Sequence, residues 1–561
     1  MKKQLFILPM VALLLTGCMN GGGSGKKKKS STSGGSDSGI TSSSGEIPWS
    51  GKTNKDFEKA KVSYVEGGVE KPLNRNTLFR NQNAPHLDPV SKESHVMVVP
   101  FGFTDLTSVQ TQANLDKINK TFFGTEEELK PLGGWESLAS FYNTSSYGRT
   151  KFAGKMLPTW CVWSGPHTSF DAENSGGPKA AEYARDWYKT EYDKANHGAL
   201  GPDAEPLTYF DSDGDGFLDL VWVVYSAPTV DPDSGWWAYV TYTNNSASVA
   251  SPTVKTLGWA SIDWMDKGFG GYDSHTFIHE TGHTFGLDDY YDYNNTWSRM
   301  GRVDFMDNNL GDHAMYSKFS LGWTEPLVVN DDALITLHPG TTTGDCFILP
   351  SPGYNNTAFD EYIMLELMAP VGLAERDYKN GYESTTGFSQ PGVRITHVDA
   401  RAYAGSTGHD VPLTDNPQKG IDVRLDNSYM GRSGIKTDSD YFPREDGTKG
   451  CMPQFSIIES NFDTTSNSTT SRTFNASNNS LFRQGARFNL KAGSGWAETF
   501  MPSGSNLWNK AKTITGWKDA QTQTYTIDTN ITFNYAIKVV SITESAEFGY
   551  EAKIEVTKDA Y

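Results

Sequence analysis

His279-Glu280-Thr281-Gly282-His283-Thr284-Phe285-Gly286-Leu287-Asp288-Asp289 is the stretch on which the reading of this chain turns. Residues four apart share one face of a helix, so His279 and His283 can aim two imidazole nitrogens at a single tetrahedral Zn2+. Glu280 stands beside that pair, placed to act as general base toward a water at the metal's open position. Gly286 lets the chain leave the helix through a backbone conformation that residues with a Cβ adopt only at a cost. The following acidic residues then return to the metal, with Asp289 as the third ligand and Asp288 as its competing neighbour. At about 100° per residue, Phe277, Ile278, Thr281 and Phe285 form a stripe expected to face a core, with both histidines beyond its edge. Asp273 or Ser274 is expected to cap the helix N-terminus.

A second motif runs Asp211-Ser212-Asp213-Gly214-Asp215-Gly216-Phe217-Leu218-Asp219. Carboxylates of Asp211, Asp213, Asp215 and Asp219, with the Phe217 carbonyl, offer the oxygen-rich shell that Ca2+ requires. An EF-hand would need a bidentate Glu at its twelfth position, where this chain has Trp222. Leu218 to Tyr225 is β-branched and aromatic, so the loop is expected to feed a buried strand, and its calcium to be structural.

The chain resembles the immune inhibitor A-like family of secreted bacterial zinc metalloproteases, metzincin-like enzymes with an HExxHxxGxxD helix. The resemblance rests on Ser137 to Tyr147 with Gly148, Asp211 to Asp219, the zinc-helix motif, Asp304-Phe305-Met306, Ser317 to Trp323, and Ile395 to Arg401, in the family's order. It implies that Met306 is a Met-turn residue packed beneath the ligand histidines, its thioether filling space and binding no metal. Tyr316, or less favourably His313, becomes a candidate donor to a tetrahedral oxyanion. His397 and Asp399 resemble part of the family's domain-joining segment.

The start of the chain places the enzyme. Lys2 and Lys3, the apolar run Leu5 to Leu15, and Thr16-Gly17-Cys18 read as a signal peptide over residues 1–18, with Cys18 resembling a lipobox cysteine. Residues 19–50 are rich in Gly, Ser and Lys and are expected to be a flexible tether. The run is too short to span a bilayer, so membrane attachment is expected through the lipid on Cys18. A formal net charge of -18 argues against nucleic-acid binding. Besides Cys18, only Cys161, Cys346 and Cys451 are present, which permits at most one intramolecular disulfide.

Residues 51–94 read as an N-terminal extension or short pro-segment, and residues 95–326 as an α/β zincin (metzincin-like) catalytic domain. Val96 to Phe101 is its expected first strand, and Ala180 to Ala195 an amphipathic helix. Residues 327–561 alternate or cluster β-formers between turn-rich loops, for example over Ala333 to Leu337, Tyr362 to Leu367, Val393 to Val398, Ser456 to Glu459, Ile537 to Ile542 and Tyr550 to Val556. They are expected to form a β-rich, sandwich-like C-terminal region. The expected function is a Zn2+-dependent endopeptidase that cuts extracellular proteins or peptides, lipid-anchored to a bacterial membrane or cell surface. The alternative is a surface binding protein or adhesin with a vestigial zinc site.

Overall fold

The structure, a computed structural model, describes residues 51–559 apart from 74–86, 91–92, 288, 291–299, 308–310, 352–353, 355, 380–386, 400–401, 405–420, 424–454, 459, 461–475, 492–511, 519–520 and 528–532. The expected signal peptide with Cys18, the expected tether, Asp288 and Cys451 therefore lie outside the described residues. Helices and sheets are mixed, as expected for an α/β protein with sheet-rich regions. Among the described residues no helix is long and apolar enough to cross a membrane.

Residues 51–73 carry the hairpin of β1 (Ser63–Glu66) and β2 (Val69–Pro72). The site-bearing half is built on a six-stranded sheet of β3 (Ser94–Phe103), β4 (Phe152–Met156), β5 (Cys161–Trp163), β6 (Leu220–Tyr225), β7 (Tyr239–Tyr242) and β8 (Thr256–Ser261). Its order is β4-β3-β6-β8-β7, with β5 also on β3; every pairing is parallel except that of the edge strand β7, which runs antiparallel to β8. Parallel strands covered on both faces read as near-continuous apolar runs, and β6 shows why. Leu220, Trp222 and Val224 enter one core while Val221, Val223 and Tyr225 enter the other.

Helices α1 (Gln112–Phe123) and α2 (Leu138–Ser145) cover the first face. The spacing of Leu115, Ile118 and Phe122 supplies the buried stripe of α1, and the Thr111 side chain caps it by accepting from Asn114 N. The second face is covered by α3 (Ala172–Tyr192), which begins eight residues before the expected Ala180 and stops at Tyr192. Gly176, Gly177 and Pro178 disguise its first turns in the sequence. Asp171 caps it, and non-helical Ser175 interrupts the hydrogen-bond ladder just ahead of Pro178.

Beyond the zinc-motif helix α4 (His275–Thr284) and α5 (Met315–Ser320) come two further sheets. One orders β16-β13-β12-β11-β9 and the other β10-β21-β20-β17, built from β9 (Leu327–Val328), β10 (Ala333–Leu337), β11 (Cys346–Pro350), β12 (Glu361–Met368), β13 (Gly392–Asp399), β16 (Phe455–Ile458), β17 (Arg487–Asn489), β20 (Tyr535–Ser545) and β21 (Gly549–Lys558). Two small hairpins add β14 (Ala402–Ala404) with β15 (Ile421–Val423), and β18 (Lys512–Lys518) with β19 (Gln521–Ile527). Phe347, Leu349, Ile363, Leu365 and Ile395 join Ile335, Ile537 and Ile554 in a core shared by the two larger sheets.

The opposite face of the five-stranded sheet is buried as well. Cys346, Ile348, Tyr362, Met364 and Val398 belong to the core that contains the zinc-motif helix. Packing is thus continuous across the expected boundary at 326/327. The extension also engages both halves. Asn54 exchanges hydrogen bonds with the Thr336 backbone, Ala60 N donates to Pro326 O, and the Pro89 carbonyl accepts from the Trp323 indole (2.6 Å) and from the Thr150 hydroxyl. Cys161 and Cys346 are buried free thiols in separate cores.

Candidate metal centre

Helix α4 buries Phe277, Ile278 and Thr281, as its stripe requires. Three contacts fix it from the core side: Tyr142 of α2 donates to Ile278 O (2.6 Å), Trp222 Nε1 of β6 donates to Thr281 Oγ1 (3.0 Å), and Met306 packs under Gly282. A Cβ on Gly282 would lie 2.5 Å from the Met306 sulfur, so a larger residue there would have to push the thioether aside. At the N-terminus Asp273 Oδ1 accepts from His275 N (2.9 Å), whereas Ser274 donates its hydroxyl to Glu136 O.

The last carbonyls of a helix need partners from outside the regular ladder. Here Thr281 O accepts from Thr284 Oγ1, Gly282 O from Phe285 N and Leu287 N, and His283 O from Gly286 N. Thr284 O accepts from Leu87 N at 2.8 Å, a buried residue of the N-terminal extension. Gly286 takes φ of 81°, the left-handed turn that brings the chain back to Asp289. Tyr290 N then donates to Met306 O (2.7 Å), and the Tyr290 hydroxyl lies 2.7 Å from Ser317 Oγ on α5.

His279, His283 and Asp289 are brought together, each offering one ligand atom within 4.8 Å of the others. His279 Nδ1 bonds to Phe305 O (3.1 Å) and His283 Nδ1 to Leu287 O (2.7 Å). A carbonyl only accepts, so both Nδ1 atoms carry hydrogen and both Nε2 atoms are turned toward Asp289. Asp289 Oδ1 lies 2.9 Å from His279 Nε2 and 3.4 Å from His283 Nε2. Ligands bound at 2.0–2.1 Å around a tetrahedral zinc are separated by about 3.3 Å, so this donor set fits zinc in both chemistry and spacing.

The electrostatics follow from burial and proximity. Burial opposes charge on His283, but the adjacent Asp289 carboxylate outweighs it and raises the ring to about 10. His279 is raised by the same balance, and the imidazoles hold Asp289 far below the ordinary carboxylate range. Burial raises Glu280, and the histidines and the Val240 N–H of β7 only partly counter it. A carboxyl group shifted in that direction is better suited to taking and returning a proton near neutral pH. A zinc ion bound here would have to displace protons from the imidazoles, so its apparent affinity would fall as pH is lowered and climb toward pH 10. Calorimetry in buffers of different ionisation enthalpy should detect the released protons. A pH-independent affinity without proton release would contradict this donor set.

Tyr316 is buried on α5, and its neighbour Tyr362 on β12 gives it a core position. His313 is also buried, wrapped by Phe141, Tyr142, Phe305 and Trp323, and among the described residues neither ring nitrogen has a hydrogen-bond partner. Burial pushes that ring down to about 3, so it stays neutral. His397 pairs with Glu361 (3.1 Å) between β13 and β12. Of the partners Tyr142, Trp222, Leu87 and Tyr290, only Tyr142 lies in a stretch that the resemblance marks, and none is singled out for this site by the sequence.

In the acidic loop, Asp211, Asp213 and Asp215 converge within the same 4.8 Å limit. Gly214 and Gly216 turn the chain at φ of 76° and 87°. Asp211 is buried, its Oδ2 accepting from Gly216 N while Oδ1 has no hydrogen-bond partner among the described residues. Phe217 pairs with Thr253 at the loop's exit. Asp219 stands apart from the three. Its carboxylate accepts from Ser212 N (2.9 Å), Ser212 Oγ (2.5 Å) and His95 N (2.6 Å), locking the loop to β3. Free calcium at about a hundred times its Kd would stabilise a protein that binds it only when folded by about 2.7 kcal/mol. A rise in melting temperature with calcium is therefore expected, and Asp213→Ala should abolish it. Melting that ignores calcium in the parent protein would remove the calcium reading. In comparisons with known proteins, the chain matches no family model and no curated protein.

Proposed function

We propose that this chain is a zinc-dependent endopeptidase whose sheet-and-helix unit is a zincin fold. The observation that carries the reading is the convergence of His279, His283 and Asp289, oriented by backbone carbonyls, with the buried carboxyl of Glu280 in the same helix. A purely structural zinc site has no need of a carboxylate in that position. When bound, zinc would supply the Lewis acidity that brings the pKa of water to around 7 and polarises a carbonyl.

The remaining steps belong to the chain itself. Glu280 takes the proton from the attacking water and passes it to the departing amine. The edge strand β7 is proposed to support a peptide substrate, because among the described residues it ends its sheet, an extended chain can pair with such an edge, and its Val240 is a neighbour of Glu280. Asp211, Asp213 and Asp215 are proposed to hold a structural Ca2+. Cys18 and residues 19–50 are proposed to tether the enzyme to a bacterial membrane, facing outward.

The test is incubation of the purified protein with an unfolded polypeptide, with and without chelator, and detection of new amino termini by mass spectrometry. New termini that disappear with chelator are expected. Their absence under zinc-replete conditions would overturn the peptidase reading in favour of a binding protein.

A further inference from the structure

The turn that bears on His279 is held partly from the C-terminal sheet. Arg394 of β13, 2% exposed, donates through Nη1 to Val303 O at 2.7 Å and through Nε to Glu366 Oε1 of β12 at 2.8 Å. The next residue, Asp304, is fully buried and bridges its own turn: Oδ1 accepts from Met306 N (2.7 Å) and Oδ2 from Ala314 N (2.6 Å). Asp307 N closes the turn onto Asp304 O at 3.0 Å. Between these anchors Phe305 presents its carbonyl to His279 Nδ1, and Met306 its sulfur to Gly282. An unbroken path therefore runs from the guanidinium through Val303 and Asp304 to the imidazole. Partners that orient a ligand histidine through its other nitrogen contribute measurably to metal affinity.

We propose that Arg394 is a positioning residue for His279, so that the β-rich half forms part of the metal centre. The proposal rests on the zinc reading above. The planar guanidinium suits this place because one rigid fork serves a carboxylate and a carbonyl in different directions. A chain ending at residue 326 would lack Arg394, and with it the tie on Val303.

Removing one member of a buried ion pair strands the other charge, whereas replacing both with apolar residues of similar size can be nearly neutral for stability. The informative variant is therefore Arg394→Met combined with Glu366→Met, compared with Arg394→Lys. Zinc affinity is measured by competition with a chromophoric chelator, thermal melting alongside it, and amide exchange of the peptide spanning 300–307 in metal-free protein. The double variant is expected to melt near the parent temperature yet bind zinc about tenfold more weakly or worse. Its 300–307 amides should exchange faster, and Arg394→Lys should fall between. Parental affinity and parental exchange in a folded double variant would overturn the proposal. If the double variant does not fold, the same two parental values in Arg394→Lys overturn it. Failure of the parent protein to bind zinc would instead overturn the zinc reading, a result separable from the exchange measurement.

Discussion

Glu280→Ala is expected to retain zinc and to lose peptide cleavage by at least about a hundredfold, the scale on which a positioned general base contributes. Glu280 is not among the residues whose ligand atoms converge, so its removal leaves His279, His283 and Asp289 in place. Burial raises its carboxyl, and the backbone of Val240 on the edge strand β7 is among its neighbours. Metal analysis and steady-state kinetics on the same preparation separate the two effects. Cleavage at the parent rate would eliminate Glu280 as the base, and loss of zinc would recast it as a ligand.

Asp289→Ala should do the opposite and release the metal, with activity lost as a consequence. Asp289 Oδ1 faces both imidazole Nε2 atoms and is the carboxylate that converges with them among the described residues. Loss of an inner ligand should exceed the ten- to hundredfold effect of outer partners, so zinc affinity is expected to fall by more than about a hundredfold. Asp288→Ala is the control. Should the Asp288 variant alone release zinc, the third ligand would have been assigned to the wrong neighbour.

Local periodicity made the ligand face legible. The four-residue spacing of His279 and His283, the stripe of Phe277, Ile278 and Thr281, and the left-handed glycine at 286 all follow from helix geometry acting within a dozen residues. What orients those ligands was not legible, because it is backbone. The carbonyls of Phe305 and Leu287 fix the two rings, and the amide of Leu87 completes the helix end; main-chain groups are present at every residue and leave no mark in a sequence.

The limits elsewhere have similar causes. The near-continuous apolar runs of β11 and β12 fit strands buried on both faces without revealing what covers each. The packing of Tyr362 and Met364 onto the zinc-motif core, across an expected domain boundary, emerges only in three dimensions. Asp219 fits a calcium loop by position, yet Ser212 and His95 claim its oxygens. Pro178 and the glycines before it hide the first turns of α3, which Asp171 and the break at Ser175 make possible.

The most direct test of the central claim is a single titration, in which metal-free protein receives zinc stepwise while peptide cleavage and bound zinc are followed together. Cleavage should rise in proportion to occupancy of one site and reach its plateau at one equivalent. Cleavage that is already complete without zinc, or that stays absent once the site is filled, would contradict it.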